Sequence, residues 1–124
     1  MDASFTFDTN SGVAQVVNQT INTGANFIAD YAVTTTSGAA FNFSGYTFAG
    51  KLTKSVSIGS SMYALRTFSV SESSGTITLS LSAANTVGLK EGRYKYDVLA
   101  NSGSTVYRIV EGDVMVRAGV TSSV

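Results

Sequence analysis

Hydrophobic and polar residues alternate along most of this chain. In TITLSL, residues 76–81, every second residue is a large aliphatic one and the residues between carry hydroxyl groups. The stretches 27–33 and 93–100 repeat the same two-residue period. Strict alternation is typical of β-strands that bury one face and leave the other polar. The pattern therefore predicts an all-β fold.

Glycine, serine and asparagine interrupt this alternation at short intervals, which favours about seven strands in an antiparallel sandwich or barrel over βαβ units. One helical turn is expected over SAANTVG, with Ser82 as N-cap and Gly88 at its end. The strands are expected near 14–22, 26–34, 46–55, 64–71, 75–81, 93–100 and 104–117.

The chain length of 124 residues fits one domain. We expect a single β-sandwich domain over 13–121, preceded by an N-terminal arm over 1–12. The arm contains alternating aromatics in SFTFD, a pattern suited to pairing with the sheet edge of another chain. Phe5 and Phe7 are therefore candidate contacts with a neighbouring subunit, and packing in the chain's own core is the other interpretation.

The composition argues against most enzyme classes. The chain has no histidine and no cysteine, which removes the commonest general base, the Ser-His and Cys-His nucleophile pairs and the commonest metal ligands. The eight basic and eight acidic residues cancel, so no charge excess favours nucleic acid or an anionic membrane. We predict no catalytic residues, no cofactor, no metal, and neither nucleic acid nor membrane as a partner.

One stretch, GYTFAGKLT, is close to a phosphate-binding loop. Gly45 through Lys51 match G-x-x-x-x-G-K, but Leu52 occupies the position of the magnesium-binding hydroxyl. The stretch also alternates like a strand, and a phosphate loop needs a strand, a loop and then a helix. We therefore expect a β-strand here, with Lys51 as a charge on its solvent face.

The acidic residues do not form a recognisable site. Asp97 lies in a strand beside Lys95, and we expect it to be a solvated or cross-strand charge partner. Glu91, Glu111 and Asp113 lie near strand ends, where two carboxylates can bind calcium. The alternating oxygen ligands of a calcium loop are missing, so a metal site is not predicted.

The stretch LKEGRYKYDV resembles the strand-F corner of immunoglobulin-like domains, G-x-Y-x-C. Tyr94 occupies the position of the corner tyrosine, and Tyr96 occupies that of the cysteine two residues later. The resemblance implies that Tyr94 fixes the turn through its hydroxyl group. It also implies that Tyr96 fills the space between two sheets.

A second resemblance lies in the order of segments over roughly residues 20–121. FNFSGYTFAGKLTKS is followed by SGTITLSLSAANTVGLKEGRYKYDV and then by VYRIVEGDVMV. This order is similar to a recurrent module of tailed-phage virion proteins, including the N-terminal domain of upper baseplate proteins. The resemblance implies an immunoglobulin-like β-sandwich used in assembly, made in the host cytoplasm, with other virion proteins and copies of itself as partners.

The expected function is thus that of a non-enzymatic virion protein that mediates subunit contacts in a tail, baseplate or fibre attachment. A capsid decoration protein is the alternative within this class. A carbohydrate-binding module is the alternative from another class, because the chain has seven Phe and six Tyr together with many Asn and Ser. Exposed aromatic rings among such residues form sugar-binding or protein-binding surfaces.

Overall fold

The computed structural model describes residues 3–54 and 66–118 of the chain. This part forms nine strands and one short helix, so the predicted all-β class is confirmed. The strands are β1 (Ala3–Thr6), β2 (Gln15–Val16), β3 (Gln19–Asn22), β4 (Phe27–Thr34), β5 (Thr47–Lys54), β6 (Arg66–Ser73), β7 (Thr76–Leu81), β8 (Gly92–Asn101) and β9 (Val106–Arg117), and the helix is α1 (Ala83–Thr86).

The strands form two sheets that share β6. Sheet A has the order β1–β4–β7–β6, and sheet B has the order β6–β5–β8–β9, with β2 and β3 both paired to β9. Residues 66–68 of β6 pair with β5, and residues 69–73 pair with β7. The pairs β1–β4, β2–β9 and β3–β9 are parallel, and the others are antiparallel. Within the described residues, the edges are therefore β1 at one end and β2 with β3 at the other.

The alternating residues form the core as their period predicts. In β7 the side chains of Ile77, Leu79 and Leu81 are buried, and the hydroxyl residues between them are half-buried. In sheet B, β8 buries Tyr94, Tyr96 and further alternate residues in the same way. Burying one large aliphatic side chain stabilises the fold by roughly 1.5–3 kcal/mol, so this alternation is the main source of stability.

The strand predicted over 14–22 is divided in two. β2 and β3 are separated by Val17 and Asn18, and both strands follow β9 in parallel. The register shift between β8 and β9 falls between Val98 and Leu99, whereas Gly112 pairs with Tyr96 in the regular part of the ladder. Parts of the predicted elements lie outside the described residues. They are residue 55 of the third predicted strand, residues 64–65 of the fourth and residues 119–121 of the predicted domain.

The N-terminal segment is part of the fold. The alternation in SFTFD predicts pairing with another chain, yet β1 pairs with β4 of the same chain along Ala3–Thr6. Phe7 follows it and is only 2% exposed, with its ring against Phe41 and Tyr107 at centroid distances of 6.1 and 5.3 Å. Within one chain, residues 3–7 thus belong to the β-structure that was assigned to 13–121.

The predicted helical turn is present as α1. Ser82 is its N-cap residue, but its side chain makes no capping hydrogen bond. The amide oxygen of Asn26 instead accepts a hydrogen bond from the backbone N–H of Ala83, at 2.8 Å. The cap therefore comes from the segment before β4, which fixes α1 against sheet A.

The near-match to a phosphate loop is a strand, as its alternation predicts. Gly45 lies in the preceding turn with a positive φ of 83°, and β5 runs from Thr47 through Lys54. Lys51 is exposed in the middle of β5, with Thr67 opposite it on β6. A phosphate-loop lysine lies at the start of a helix, so Lys51 cannot act in that way.

Candidate functional site

The corner between α1 and β8 is closed by Tyr94. Its side chain is buried, and its hydroxyl donates a hydrogen bond to the backbone carbonyl of Lys90 at 2.8 Å. This contact reaches back four residues along the chain, which is the geometry that a tyrosine corner requires. Tyr94 therefore fixes the entry into β8 and acts on the structure rather than on a ligand.

Tyr94→Phe is expected to lower the free energy of unfolding by about 1 kcal/mol, because the hydrogen bond between the buried Tyr94 side chain and the Lys90 carbonyl is lost. Urea unfolding measures this loss. Tyr107→Phe is the matched control, since the Tyr107 hydroxyl has no hydrogen bond to a described residue and its ring contacts remain. Equal stability of the Tyr94→Phe variant and the unmodified chain would argue against the corner.

A second tyrosine pair connects the two sheets. Tyr31 on β4 and Tyr96 on β8 are both buried, and their hydroxyl oxygens lie 2.9 Å apart. Gln19 donates its side-chain N–H to the Tyr31 hydroxyl at 2.9 Å, and Tyr96 donates to the carbonyl of Val17 at 2.6 Å. A hydrogen-bonded chain thus runs from sheet A through the core to the segment between β2 and β3.

This arrangement keeps Tyr96 protonated. Burial is the main cause that raises the pKa of Tyr96 above its usual 10.0, and the hydrogen bond with Tyr31 raises it further. A neutral phenol at the centre of the fold is neither a nucleophile nor a base at ordinary pH. The sequence indicated that Tyr96 lies between the sheets, but its partner Tyr31 was not identified.

Gly112 lets the segment between β2 and β3 approach β9. A Cβ atom at this position would lie 2.2 Å from the carbonyl oxygen of Val17, which is backbone. The next residue, Asn18, accepts a hydrogen bond from the backbone N–H of Asp113 through its side-chain oxygen, at 3.0 Å. Glycine is needed here for space, and the sequence signalled only an interruption of the strand.

The outer face of sheet B carries charged side chains over a concavity of about 730 Å³, lined in part by Lys51, Asp97 and Arg108. Lys95 pairs with Asp113 at 2.6 Å, and Arg108 lies 3.1 Å from Asp97. Such exposed pairs contribute roughly 0–1 kcal/mol each. The charged residues of this face are Lys51, Arg93, Lys95, Asp97, Arg108, Glu111, Asp113 and Arg117.

The pair between Lys95 and Asp113 predicts a measurable titration. The hydrogen bond from Lys95 lowers the pKa of Asp113 below its usual 3.8, so any stabilisation is present above that value and is lost as the pH falls through the lower one. Lys95→Met is expected to move the pKa of Asp113 upward in an NMR titration of the carboxyl carbon. Lys90→Met, which removes a lysine outside this pair, is expected to leave it unchanged.

If the pKa of Asp113 stays the same in the Lys95→Met variant, the pair does not form in solution. The neighbouring cation Arg93 makes a smaller contribution in the same direction, so the shift is expected to be partial. The measurement therefore separates the direct hydrogen bond from the general charge of the face.

The outer face of sheet A is different, because it is almost uncharged. Asp30 is its one charged residue, and the hydroxyl of Thr78 donates to that carboxylate at 2.8 Å. Cross-strand registers place the outward residues side by side in rows. They are Ser4, Thr6, Ile28, Asp30, Ala32, Thr34, Ser69, Ser71, Ser73, Thr76, Thr78 and Ser80, and we call this set the hydroxyl face.

The predicted subunit contacts Phe5 and Phe7 lie at the edge of this sheet. Phe5 is half-buried with its ring centroid 6.4 Å from that of Tyr31, and Phe7 is in the core. The acidic residues Asp97, Glu111 and Asp113 lie together on sheet B, each close to Lys or Arg. Among residues 3–54 and 66–118, no cluster of Asp and Glu is placed to hold a metal ion.

The described aromatic rings mostly pack against one another. Phe41 and Phe43 lie 4.5 Å apart, and Tyr46 and Tyr107 stack at 6.4 Å. Every Phe and Tyr in the described part of the chain is buried or half-buried. Tyr63 lies outside the described residues. No helix in the described part is long and apolar enough to cross a membrane.

No protein-family model matches the chain, and no curated protein matches it. Similar solved structures include a chain of the titin M10–obscurin-like 1 Ig complex, with 13% identity over 84% of this chain and 89% of that one and a TM-score of 0.43. Another is a DUF4784 family protein from Bacteroides caccae, with 13% identity over 84% of this chain and a TM-score of 0.47. A third is InlP from Listeria monocytogenes, with 24% identity over 84% of this chain and a TM-score of 0.43. The matched region covers 23% and 28% of the latter two chains.

Proposed function

We propose that this chain is a non-enzymatic structural module of a tailed-phage particle, and that its hydroxyl face contacts a neighbouring protein subunit. The observation that carries the proposal is the difference between the two outer faces. Sheet B carries many charged side chains, among them the pairs Lys95–Asp113 and Arg108–Asp97, whereas the hydroxyl face has one carboxylate. The cores of protein interfaces are depleted in charged residues, which favours the hydroxyl face as the contact.

The small side chains of the hydroxyl face support the same proposal. Ser71, Thr78 and Asp30 form one cross-strand row, and Ser73, Thr76 and Ala32 form the next. Serine, threonine and alanine project little from a sheet, so another surface can approach these two rows closely. In the neighbouring row Ile28, which is 64% exposed, projects further. The serine and threonine hydroxyl groups can then exchange hydrogen bonds with the partner instead of with water.

We further infer that the fold is an immunoglobulin-like sandwich with added edge strands. In such domains one sheet contains strands A, B, E and D, and the other contains C, F and G. Sheet A, with β1, β4, β7 and β6, and the β5–β8–β9 part of sheet B follow that order. The hydroxyl contact of Tyr94 and the hydrogen bond between Tyr31 and Tyr96 across the sheets support this inference.

The assignment to a phage particle rests on the resemblance of the segment order to virion modules. A tail or baseplate position is the preferred one, and a capsid decoration protein fits the same face. A carbohydrate-binding module would need exposed aromatic rings, and the described rings are packed against each other. The assembly proposal is therefore the one that the described surface supports better.

Incorporation into particles tests the proposal. Ser71→Arg places a long cation on the β6 strand of the hydroxyl face, and Ala49→Arg places the same side chain at an exposed position on sheet B. We expect the unmodified chain and Ala49→Arg to co-purify with particles at one fixed copy number, and Ser71→Arg to be lost. A folded chain absent from particles, whose melting temperature rises with added glycans, would overturn the proposal.

A further inference from the structure

β1 is a short edge strand of sheet A. It has four residues and, among the described residues, pairs with β4 alone, in parallel. Its hydrogen bonds to the rest of the chain go to one strand, including that from the backbone N–H of Phe7 to the carbonyl of Thr34 at 3.0 Å. The strand is thus a short unit whose binding surface is the edge of β4.

Phe7 anchors this unit in a preformed socket. The ring is buried against Phe41 and Tyr107, which come from the loop after β4 and from β9. Phe5 adds a half-buried contact with Tyr31. Because the socket is built by residues outside 3–7, it is complementary to any copy of this segment, whichever chain supplies it.

The segment after Phe7 is suited to act as a hinge. Residues 9–13 are exposed, and Val13 is 71% exposed. The backbone N–H of Gly12 and that of Asn10 both bond to Asp8, so these turn contacts are local and do not tie the hinge to either sheet. Straightened, the seven residues 8–14 span about 24 Å, enough to carry β1 away from its own chain.

We propose that β1 and Phe7 exchange between copies, so that β1 of one chain pairs with β4 of the next and Phe7 fills the partner's socket. The exchanged state keeps every contact of β1. The free-energy difference between the exchanged and the unexchanged state is therefore set mainly by the conformation of the hinge and by the local concentration of copies. Exchange is therefore favoured in an assembly. The proposal rests on the proposed function and names a second copy of this chain as one partner.

Single-cysteine chains test the exchange directly, because the natural chain has no cysteine. Ser4 and Ala32 are register partners in the parallel β1–β4 pair, at a spacing that a disulfide can bridge. Ser4→Cys chains are mixed with Ala32→Cys chains at high concentration and oxidised, and a non-reducing gel measures the mixed dimer. We expect this dimer to exceed, several-fold, the dimer formed between Ser4→Cys and Ser71→Cys chains.

Ser71 is the matched control because it lies on the same face but pairs with Thr78, away from β1. The double variant Ser4→Cys/Ala32→Cys, oxidised at low concentration, must close within one chain, which shows that the two positions can be bridged. A bridged double variant together with mixed dimers at the control level would overturn the exchange. Failure of the double variant to bridge would also overturn it, since the β1–β4 register would then be wrong.

These outcomes are separate from the proposed function. If no exchange is found but Ser71→Arg still abolishes incorporation into particles, the hydroxyl face remains the contact and only the exchange is wrong. If exchange is found in chains that never enter particles, the exchange stands and the virion role fails.

Discussion

Gly112→Ala is expected to lower the free energy of unfolding by about 3 kcal/mol or more. The added methyl would lie 2.2 Å from the carbonyl oxygen of Val17 and 2.8 Å from its carbonyl carbon. Both atoms are backbone, and the carbonyl oxygen is held by the hydroxyl of Tyr96 at 2.6 Å. Relief of the clash therefore requires the segment between β2 and β3 to leave β9. Urea unfolding with a fluorescence or circular dichroism readout measures the loss.

Gly88→Ala is the matched control for this substitution. Its Cβ would meet the guanidinium end of Arg66 at 3.0 Å, and that end of a flexible side chain can move aside. We expect a change of less than about 1 kcal/mol there. Equal losses for the two variants would mean that the approach of Val17 to β9 does not exist in solution.

The second large effect is expected from the tyrosine pair. Tyr96→Phe leaves the Val17 carbonyl without its donor and the Tyr31 hydroxyl without one partner, at a cost of about 1–3 kcal/mol. Tyr31→Phe removes the same contact from the other side and also the acceptor of Gln19. The double variant is expected to lose clearly less than the sum of the single losses. Strict additivity would show that the two hydroxyl groups do not interact.

The same pair predicts how stability depends on alkali. The pKa of Tyr96 is raised in the folded chain, so its contribution is fully present below the usual value of 10.0 and is lost as the pH rises from there toward the folded value. The free energy of unfolding should fall above pH 10 more steeply for the unmodified chain than for Tyr96→Phe. Parallel curves for the two chains would contradict the buried pair.

Local patterns made most of the strands predictable. The alternation in 76–81 places Ile77 and Leu79 in the core because side chains of a strand point to opposite faces. The same period distinguished β5 from a phosphate loop, and the corner sequence indicated the position of Tyr94. Each of these inferences depends only on residues that are close together in the chain.

The features that the sequence did not reveal depend on distant residues. Tyr31 and Tyr96 are 65 residues apart, and the sequence around one tyrosine does not indicate that it contacts the other. Position 112 has room only for glycine because the backbone of Val17, from near the start of the chain, packs against it. The alternation in SFTFD predicts strand pairing but does not identify β4 as the partner, because Phe7 occupies a socket built by later segments.

The hydroxyl face was equally hidden, because its members come from β1, β4, β6 and β7. Each strand alone shows ordinary hydroxyl residues between apolar ones, as on any solvated sheet. Only the register of the four strands gathers them into one surface with a single carboxylate at Asp30. Strand order therefore had to be known before this candidate site could be recognised.

Chemical labelling in the intact particle tests the central claim most directly. Ser71→Cys and Ala49→Cys each place one thiol at an exposed position, on the hydroxyl face and on sheet B, in a chain that has no other cysteine. The rate of maleimide labelling is compared between the free chain and the particle. We expect Ser71→Cys to be strongly protected in the particle and Ala49→Cys to react as it does in the free chain. Unchanged labelling of Ser71→Cys in particles that contain the chain would contradict the hydroxyl face as the subunit contact.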